Sequence, residues 1–467
     1  MNLFKRKVIL LGLVLTVTAA LGVQVDAQTI IANDNTVLKQ IIVFGRHSIR
    51  SSTVDPSVLN TYAVTPYPPF EVQPGYLTPN GRQAEALLGS YFRQYLLQEG
   101  LLTGNNQTDA AHSYFRSNSI ERSYETAAAF QGGLIPNSTQ GVHSYPLGQL
   151  DPVFDPIGTG VVQQLDVNRA VMEAQALFNN GTALASAYSG EYSLIRSTLF
   201  DYPLGTQPPP LKPSSPADLV DVTAIPITLT ASAPPYYTGS VINPGGLEVV
   251  SNAVDPFVMQ YCDNFDLDQV AWGRLTLDQI AQNTRIQRAV FEIEVLSPYV
   301  DRVQSSNAAS HILQTMTQVV NGGNAFGAFC SNKSSRAVVV ISSDGYVAGL
   351  AGLLNVHWQL PGYQPNFCAP GGALVFELRQ SKSTKKYLVR VYYTAQTFDQ
   401  LRNLRPLSLD VPPATIQLLV PGGSTSSTNP DVDFGVFQKL MQNAIGQQYV
   451  QNPLEEVPPG VLTFSTE

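Results

Sequence analysis

A histidine flanked by arginines is the first feature of this sequence that could carry chemistry. Arg46 and His47 are adjacent, and Arg50 follows within one turn. Guanidinium groups match phosphate oxygens with paired hydrogen bonds and keep their charge at any relevant pH. The same positive charge disfavours protonation of a neighbouring imidazole, so His47 can stay a neutral nucleophile in mild acid. The cluster indicates phosphate chemistry, with ordinary polar contacts at a strand end as the alternative interpretation.

Two other residues become candidates through their positions. Arg122 opens a predicted helix, where free N-terminal amides also favour anions. Asp344 stands just after the apolar run AVVVI, with Ser343 before it. Taken alone, Arg122 is typical of a surface residue and Asp344 of a helix N-cap. Their positions alone therefore leave open whether they share a site with the histidine cluster.

Two buried strands are predicted to position these residues. The apolar, β-branched run at 38–44 ends at GRHSIR, and the run at 337–341 ends at SSDG. Open α/β sheets place their sites at the carboxyl ends of strands, so we expect the two clusters to meet. Further strands are predicted at 113–116, 373–378 and 386–393, and helices at 84–97 behind a Thr78 cap, at 120–130 and at 346–354.

The length of 467 residues predicts more than one folding unit, because a single core usually stops growing beyond about 250–300 residues. The segment 165–318 differs from the rest, since its clearer periodic stretches are helical. We therefore predict an α/β fold. Its large domain, at 28–164 and 319–467, has a central mixed or mostly parallel sheet flanked by helices, and 165–318 is a smaller, mostly helical insertion domain.

The N-terminus has the order of a secretory signal peptide. The basic stretch Lys5, Arg6 and Lys7 precedes an apolar run at 8–23, and a small-residue cleavage site ends at Ala27. The run is shorter than the ~20 apolar residues that a membrane anchor needs. We expect residues 1–27 to be removed and the mature protein to be periplasmic or extracellular, without membrane attachment.

Charge and cysteine content exclude some partners and leave one question open. Charged residues make up 13% of the chain and the net charge is −8, which argues against a dedicated nucleic-acid binder. Three arginines beside one histidine would form a local positive well against this acidic background, and such a well attracts anionic substrates. The cysteines, at Cys262, Cys330 and Cys368, permit at most one internal disulfide, with three pairings open.

Several motifs in the same order resemble the histidine acid phosphatases, the group with bacterial phytases and periplasmic glucose-1-phosphatase. Besides RHSIR, they are GYLTPNG, DPVFDPIGTG, DQVAWGRLT and LPGYQPNFCAPGGALVFEL. The resemblance implies that His47 is the nucleophile and Asp344 the proton donor to the leaving alcohol. It also implies a phosphate site formed by Arg46, Arg50, Arg122 and Ser343, with no cofactor and no metal ion.

The sequence departs from that family's pattern at three serines. Ser48 and Ser52 replace a usual Gly and Pro, and Ser343 replaces the His that usually precedes the acid Asp and donates to the phosphate. Serine keeps a donor but is shorter and cannot be cationic. Losing one transition-state donor typically costs ~10²–10³ in rate, so we expect a weakened or substrate-shifted enzyme.

The expected function is hydrolysis of a small-molecule phosphomonoester, a sugar phosphate or an inositol phosphate, through a phosphohistidine. The alternative is a protein that binds phosphate or a phospho-ligand with weak or no turnover. A phosphoryl-transfer mutase is a third interpretation, and export argues against it. The sequence does not choose the substrate or the oligomeric state.

Overall fold

The structure is a computed structural model. It describes residues 35–179, 181–210, 216–234, 240–332, 334–426, 429–451, 457 and 459–460. The predicted signal peptide at 1–27 lies outside these residues. No helix in the described part of the chain combines the length and the apolar character needed to cross a bilayer.

A mixed sheet organises the molecule. Its strands are β1 (Thr36–Arg46), β2 (Ser113–Ser117), β3 (Val142–His143), β6 (Ala337–Ser342), β7 (Ala373–Ser381), β8 (Tyr387–Ala395), β9 (Ala414–Gln417), β10 (Val432–Asp433) and β11 (Pro459–Gly460), while β4 (Ile227–Ala231) and β5 (Ile242–Gly245) form a separate pair. The order is β10-β8-β7-β1-β6-β2-β3-β11, with β9 beside β8. Strands β1, β6, β2 and β3 run parallel, and β7 and β8 are antiparallel to their neighbours. The predicted α/β class with a mixed, mostly parallel central sheet is confirmed.

Helices cover both faces of this sheet. They are α1 (Pro56–Leu59), α2 (Pro79–Gln98), α3 (Asn106–Ala111), α4 (Glu121–Leu134), α5 (Val167–Phe178), α6 (Gly181–Ala187), α7 (Ser189–Leu199), α8 (Gly246–Cys262), α9 (Leu277–Glu294), α10 (Pro298–Asn321), α11 (Asp344–Leu353), α12 (Phe398–Arg402) and α13 (Phe434–Ala444). Side chains alternate along a strand, so Ile41 and Val43 of β1 pack with α2 and α4. Ile42 and Phe44 point the other way, into the core shared with α8, α10 and α11.

The predicted elements around the site are present with small shifts at their ends. Thr78 caps α2 by accepting a hydrogen bond from the Gly81 amide, and Pro79 is the first helical residue. The close packing of this helix start on the chain after His47 requires glycine, because a Cβ at Gly81 would lie 2.3 Å from the Ile49 carbonyl oxygen. Helix α11 begins at Asp344, two residues earlier than predicted.

The region at 165–318 contains α5 to α9, most of α10 and the β4–β5 pair. The domain boundaries drawn there stay a prediction. All three cysteines lie among the described residues, and each is buried without a disulfide to another. His311 is fully buried inside α10, where its Nδ1 contacts the Gly327 carbonyl. Burial lowers the pKa of His311 to about 4.

Candidate active site

The carboxyl ends of β1 and β6 bring the predicted clusters together. Arg46, the last residue of β1, lies opposite Ser342, the last residue of β6. The His47 amide donates to the Ser342 carbonyl at 2.8 Å and so extends this pairing one residue beyond the strand. Ser343 and Asp344 follow on the neighbouring strand. The parallel register therefore places the histidine and the acid side by side, as the sequence predicts.

His47 is held as a neutral ring with a defined tautomer. Its side chain is buried, and Nδ1 lies 2.8 Å from the Ser48 carbonyl oxygen. A carbonyl oxygen only accepts, so Nδ1 carries the proton and the lone pair of the neutral ring is on Nε2. Burial and then the charges of Arg122, Arg46 and Arg50 lower the pKa of His47 well below its usual range. The structure thus favours the neutral form of this ring, with an available lone pair on Nε2.

Three guanidinium groups surround this ring, each held by a different element. Arg46 on β1 donates to the Cys368 carbonyl at 2.5 Å. Arg50 forms a two-pronged ion pair with Asp255 of α8, at 2.7 and 3.2 Å. Arg122, in the first turn of α4, donates to the Gly75 carbonyl at 3.2 Å. Burial and the charge of Arg50 lower the pKa of Arg122 to about 10, so the group stays cationic at neutral pH.

Each arginine also has a buried nitrogen without a hydrogen-bond partner in the described part of the chain. These atoms are Nε of Arg46, Nε of Arg50 and Nε of Arg122. Buried N–H groups of a charged side chain are costly to leave unpaired. Three such groups around one imidazole indicate that the site is built to receive an anion.

Asp344 stands at the start of α11 and faces the cations. Its Oδ2 lies 2.9 Å from Arg46 Nη2 and accepts a hydrogen bond from Gln287 Nε2 of α9 at 2.9 Å. The helix N-cap is Ser343, although its side chain makes no capping hydrogen bond. Both residues are half-buried and line a cavity of 220 Å³ together with Arg122. All six predicted site residues therefore belong to one edge of the sheet.

Two residues that the sequence analysis did not single out complete the arrangement. Asp255 fixes Arg50, and Gln287 holds Asp344. Neither stands in a motif or near the site in sequence, so only the fold of α8 and α9 over the sheet identifies them. Within the described residues, no group of three or more histidine, cysteine or acidic side chains is placed to hold a metal ion.

Comparisons with known proteins agree with this geometry. The sequence is 26% identical to a glucose-1-phosphatase of Providencia rettgeri, over 93% of this chain and 99% of that protein. It is 28% identical to phytase AppA of Escherichia coli strain K12, over 87% and 92% of the two chains. The fold is similar to that of a Hafnia alvei phytase in complex with tartrate, with a TM-score of 0.77, 24% identity and coverage of 90% and 99%.

The two named activities match at nearly the same identity, so these relatives do not separate a glucose-1-phosphatase from a phytase. The family described as the histidine phosphatase superfamily, branch 2, matches residues 32–189 and 281–394, which is more than half of the chain. With the histidine, the arginines and the acid on one sheet edge, this chain belongs to branch 2 of the histidine phosphatase superfamily.

Proposed function

We propose that this phosphatase hydrolyses phosphomonoesters through a phosphohistidine formed on His47. The observation that carries the proposal is a buried, neutral imidazole whose Nε2 is free to attack and which is surrounded by three guanidinium groups. The unpartnered nitrogens of Arg46, Arg50 and Arg122 would bind the phosphoryl oxygens and stabilise the charge that spreads over them in the transition state.

The reaction would proceed in two displacements. In the first, His47 Nε2 attacks phosphorus, a P–N bond forms, and the P–O bond to the alcohol breaks. Asp344, as a carboxylic acid, gives its proton to the departing oxygen. In the second, Asp344 as carboxylate takes a proton from water, the water oxygen bonds to phosphorus, and the P–N bond breaks to release phosphate and restore His47.

Ser343 would supply the remaining phosphate contact as a neutral donor. Its position beside Asp344 on the cavity wall supports this role. The cleavage of a signal peptide at 1–27, secretion, and the insertion domain at 165–318 remain proposals of the same kind. A small phosphate ester, such as a sugar phosphate, or an inositol phosphate is the substrate class that the relatives' names support.

A phosphate-binding protein with little turnover is the second candidate, and Ser343 is the observation that favours it. The test measures phosphate release from p-nitrophenyl phosphate and glucose-1-phosphate between about pH 3 and pH 8, because proton transfer to the leaving alcohol makes the rate depend on pH. We expect His47→Ala to lose roughly 10⁴-fold or more in kcat, since the nucleophile itself is gone. The matched control is His357→Ala, which removes an exposed histidine.

The variant Ser343→His measures how much phosphatase activity is lost because a serine stands where the family usually has a histidine. A rise in activity would assign part of the lost transition-state binding to this position. If wild type binds phosphate but turns over no faster than His47→Ala, the enzyme interpretation is wrong and the binding protein is favoured.

A further inference from the structure

The cavity beside Asp344 contains a second carboxyl group that the proposed mechanism does not use. Glu294 is the last residue of α9 and lines the cavity with Arg122, Ser343 and Asp344. The same helix presents Gln287, which contacts Asp344. Positions seven apart lie on one face of a helix, so α9 directs both side chains toward the site.

Glu294 has a buried oxygen aimed at no protein donor. Although the residue as a whole is half-buried, its Oε1 is inaccessible to solvent and has no hydrogen-bond partner among the described residues. A buried polar atom without a partner is uncommon in native proteins and calls for a ligand or a water. The neighbouring active-site space is the place where that ligand would bind.

The charge state of this group suits a hydrogen bond to a neutral partner. Burial and the charge of Glu248 raise the pKa of Glu294 to about 8, with a hydrogen bond from Ser240 opposing them. In mild acid the group is therefore a carboxylic acid, which both donates and accepts. The carboxylic acid adds no negative charge to a pocket that must receive a phosphate ester.

The other walls of the cavity limit what can enter. Ile120, Phe291 and Val295 form an apolar side, and Arg122 is the one cation among the described lining residues. Ligand pockets for drug-sized molecules usually measure about 300–1,000 Å³. A cavity of 220 Å³ suits a single small alcohol and lacks the positive charge that several phosphate groups would need.

We propose that Glu294 is a specificity-determining residue that hydrogen-bonds a hydroxyl group of the substrate's alcohol. The pocket accordingly selects esters of small, uncharged polyols, such as sugar phosphates, over inositol polyphosphates. This inference rests on the proposed phosphatase function of the same site.

The test compares glucose-1-phosphate with phenyl phosphate, whose leaving group has no second hydroxyl. For Glu294→Leu we expect kcat/KM on glucose-1-phosphate to fall roughly 10-fold, the effect of one hydrogen bond lost from a buried site. Phenyl phosphate should change by less than about twofold, because it makes no such bond. Glu294→Gln keeps a donor and an acceptor and should retain most of the activity on both esters.

Glu292→Leu is the matched control, because Glu292 lies on the same helix and pairs with Arg288 outside the cavity lining. If Glu294→Leu does not fold, Glu294→Met provides an unbranched apolar replacement. Equal losses on both esters, or no loss on either, would overturn the proposal. So would a wild-type kcat/KM higher for inositol hexakisphosphate than for glucose-1-phosphate.

Failure of the phosphatase function itself gives a different pattern. In that case wild type releases phosphate from neither ester, and calorimetric binding of glucose-1-phosphate and of phenyl phosphate replaces turnover as the measurement. A loss of affinity confined to glucose-1-phosphate in Glu294→Leu supports the role of Glu294. Equal affinities in wild type and variant overturn it.

Discussion

The two walls of the site differ in charge and in origin. The sheet wall consists of Arg46 at the end of β1, of His47 and Arg50 just after it, and of Asp344 after β6, and it supplies the proposed nucleophile and most of the positive charge. The helix wall consists of Asp255 on α8 and of Gln287 and Glu294 on α9, and it supplies carboxyl and amide groups without a cation. The sheet wall has the chemistry to bind and cleave the phosphoryl group. In the proposed reaction, the helix wall fixes the groups that do so and faces the alcohol.

The two walls are joined by a buried ion pair between Arg50 and Asp255, which is costly to break by removing one partner. The two side chains are 8% and 13% exposed, and their atoms approach to 2.7 Å. Burial lowers the pKa of Arg50, but the charge of Asp255 outweighs it and the pKa is raised overall. Breaking a buried pair by removing one partner leaves an uncompensated charge and typically costs about 3–5 kcal/mol. The helix wall therefore contributes to the geometry of the sheet wall as well as to its own face of the pocket.

After removal of the proposed nucleophile His47 itself, the largest effect is expected within the sheet wall, from Asp344→Asn. The amide keeps the shape of the side chain but has no acidic proton for the leaving oxygen. We expect kcat/KM, which reports the first displacement and not the shared hydrolysis of the phosphohistidine, to fall roughly 10²–10⁴-fold for glucose-1-phosphate, whose alcohol leaves poorly without a proton. The fall should be much smaller for p-nitrophenyl phosphate, because nitrophenolate leaves without protonation.

The control for Asp344→Asn is the ratio of the two substrates in one preparation, which cancels errors in the amount of folded enzyme. Equal losses on both esters would mean that Asp344 acts through Arg46, its ion-pair partner, and not as the acid.

Arg122→Gln tests whether the positive charge of Arg122 keeps His47 unprotonated. Losing one donor to the transition state should reduce kcat/KM by about 10²–10³-fold. Among the three arginines, Arg122 has the largest electrostatic effect on the pKa of His47, because a nearby positive charge disfavours the imidazolium form. Its removal raises the pKa of His47, so a smaller fraction of the ring is neutral in acid. The acid limb of the kcat/KM profile should move to higher pH.

The matched variant for this profile is Arg93→Gln, which removes an arginine that donates to the Leu134 and Gly104 carbonyls away from the site. An acid limb that stays in place in Arg122→Gln would show that burial and the charges of Arg46 and Arg50 keep His47 neutral without Arg122.

Asp255→Asn tests the contact between the walls. It leaves Arg50 without its counter-charge, and the freed guanidinium can leave the position that holds phosphate. A small displacement of a positioning group costs up to about 10²-fold in rate, so we expect a 10- to 100-fold loss in kcat/KM. Thermal unfolding should show a loss of stability of several kcal/mol at most.

The control for Asp255→Asn is Asp221→Asn, which breaks the more exposed pair with Arg196 outside the site. Exposed pairs are worth about 0–1 kcal/mol, so this variant should be almost unchanged in stability and activity. A loss of stability without loss of activity in Asp255→Asn would limit the pair to a structural role.

The sheet wall was predictable because local sequence determines it. The run at 337–341 is apolar on every residue and the run at 38–44 is apolar except at Lys39 and Gln40, as expected of buried parallel strands, and the polar residues that follow each run are expected at the sheet edge. The parallel register then follows from the α/β class. His47, Arg46, Arg50 and Asp344 could therefore be expected at one sheet edge before any coordinates, whereas their roles and the addition of Arg122 came from the family resemblance.

The helix wall was not predictable, because its position depends on packing over a long sequence separation. Asp255 is 205 residues from Arg50, and Gln287 is 57 residues from Asp344. Within the sequences of α8 and α9, nothing distinguishes Asp255 and Gln287 from other polar residues of a helix. The buried histidine in α10 shows the same limit: nothing in the sequence around His311 indicates that both of its helix faces are covered.

Gln287→Leu should give the smallest effect and separates two roles within the helix wall. Gln287 donates to Asp344 and makes no proposed contact with the alcohol, so its loss should reduce kcat/KM about 3- to 10-fold, the effect of one neutral hydrogen bond to a charged acceptor. The reduction should be the same for glucose-1-phosphate and phenyl phosphate, because both need Asp344. Glu294→Leu on the same helix should instead affect only the hydroxylated ester. A different loss on the two esters in Gln287→Leu would mean that the Gln287 amide contacts the alcohol. In that case it would be wrong that Gln287 only positions Asp344 and that Glu294 alone binds the alcohol.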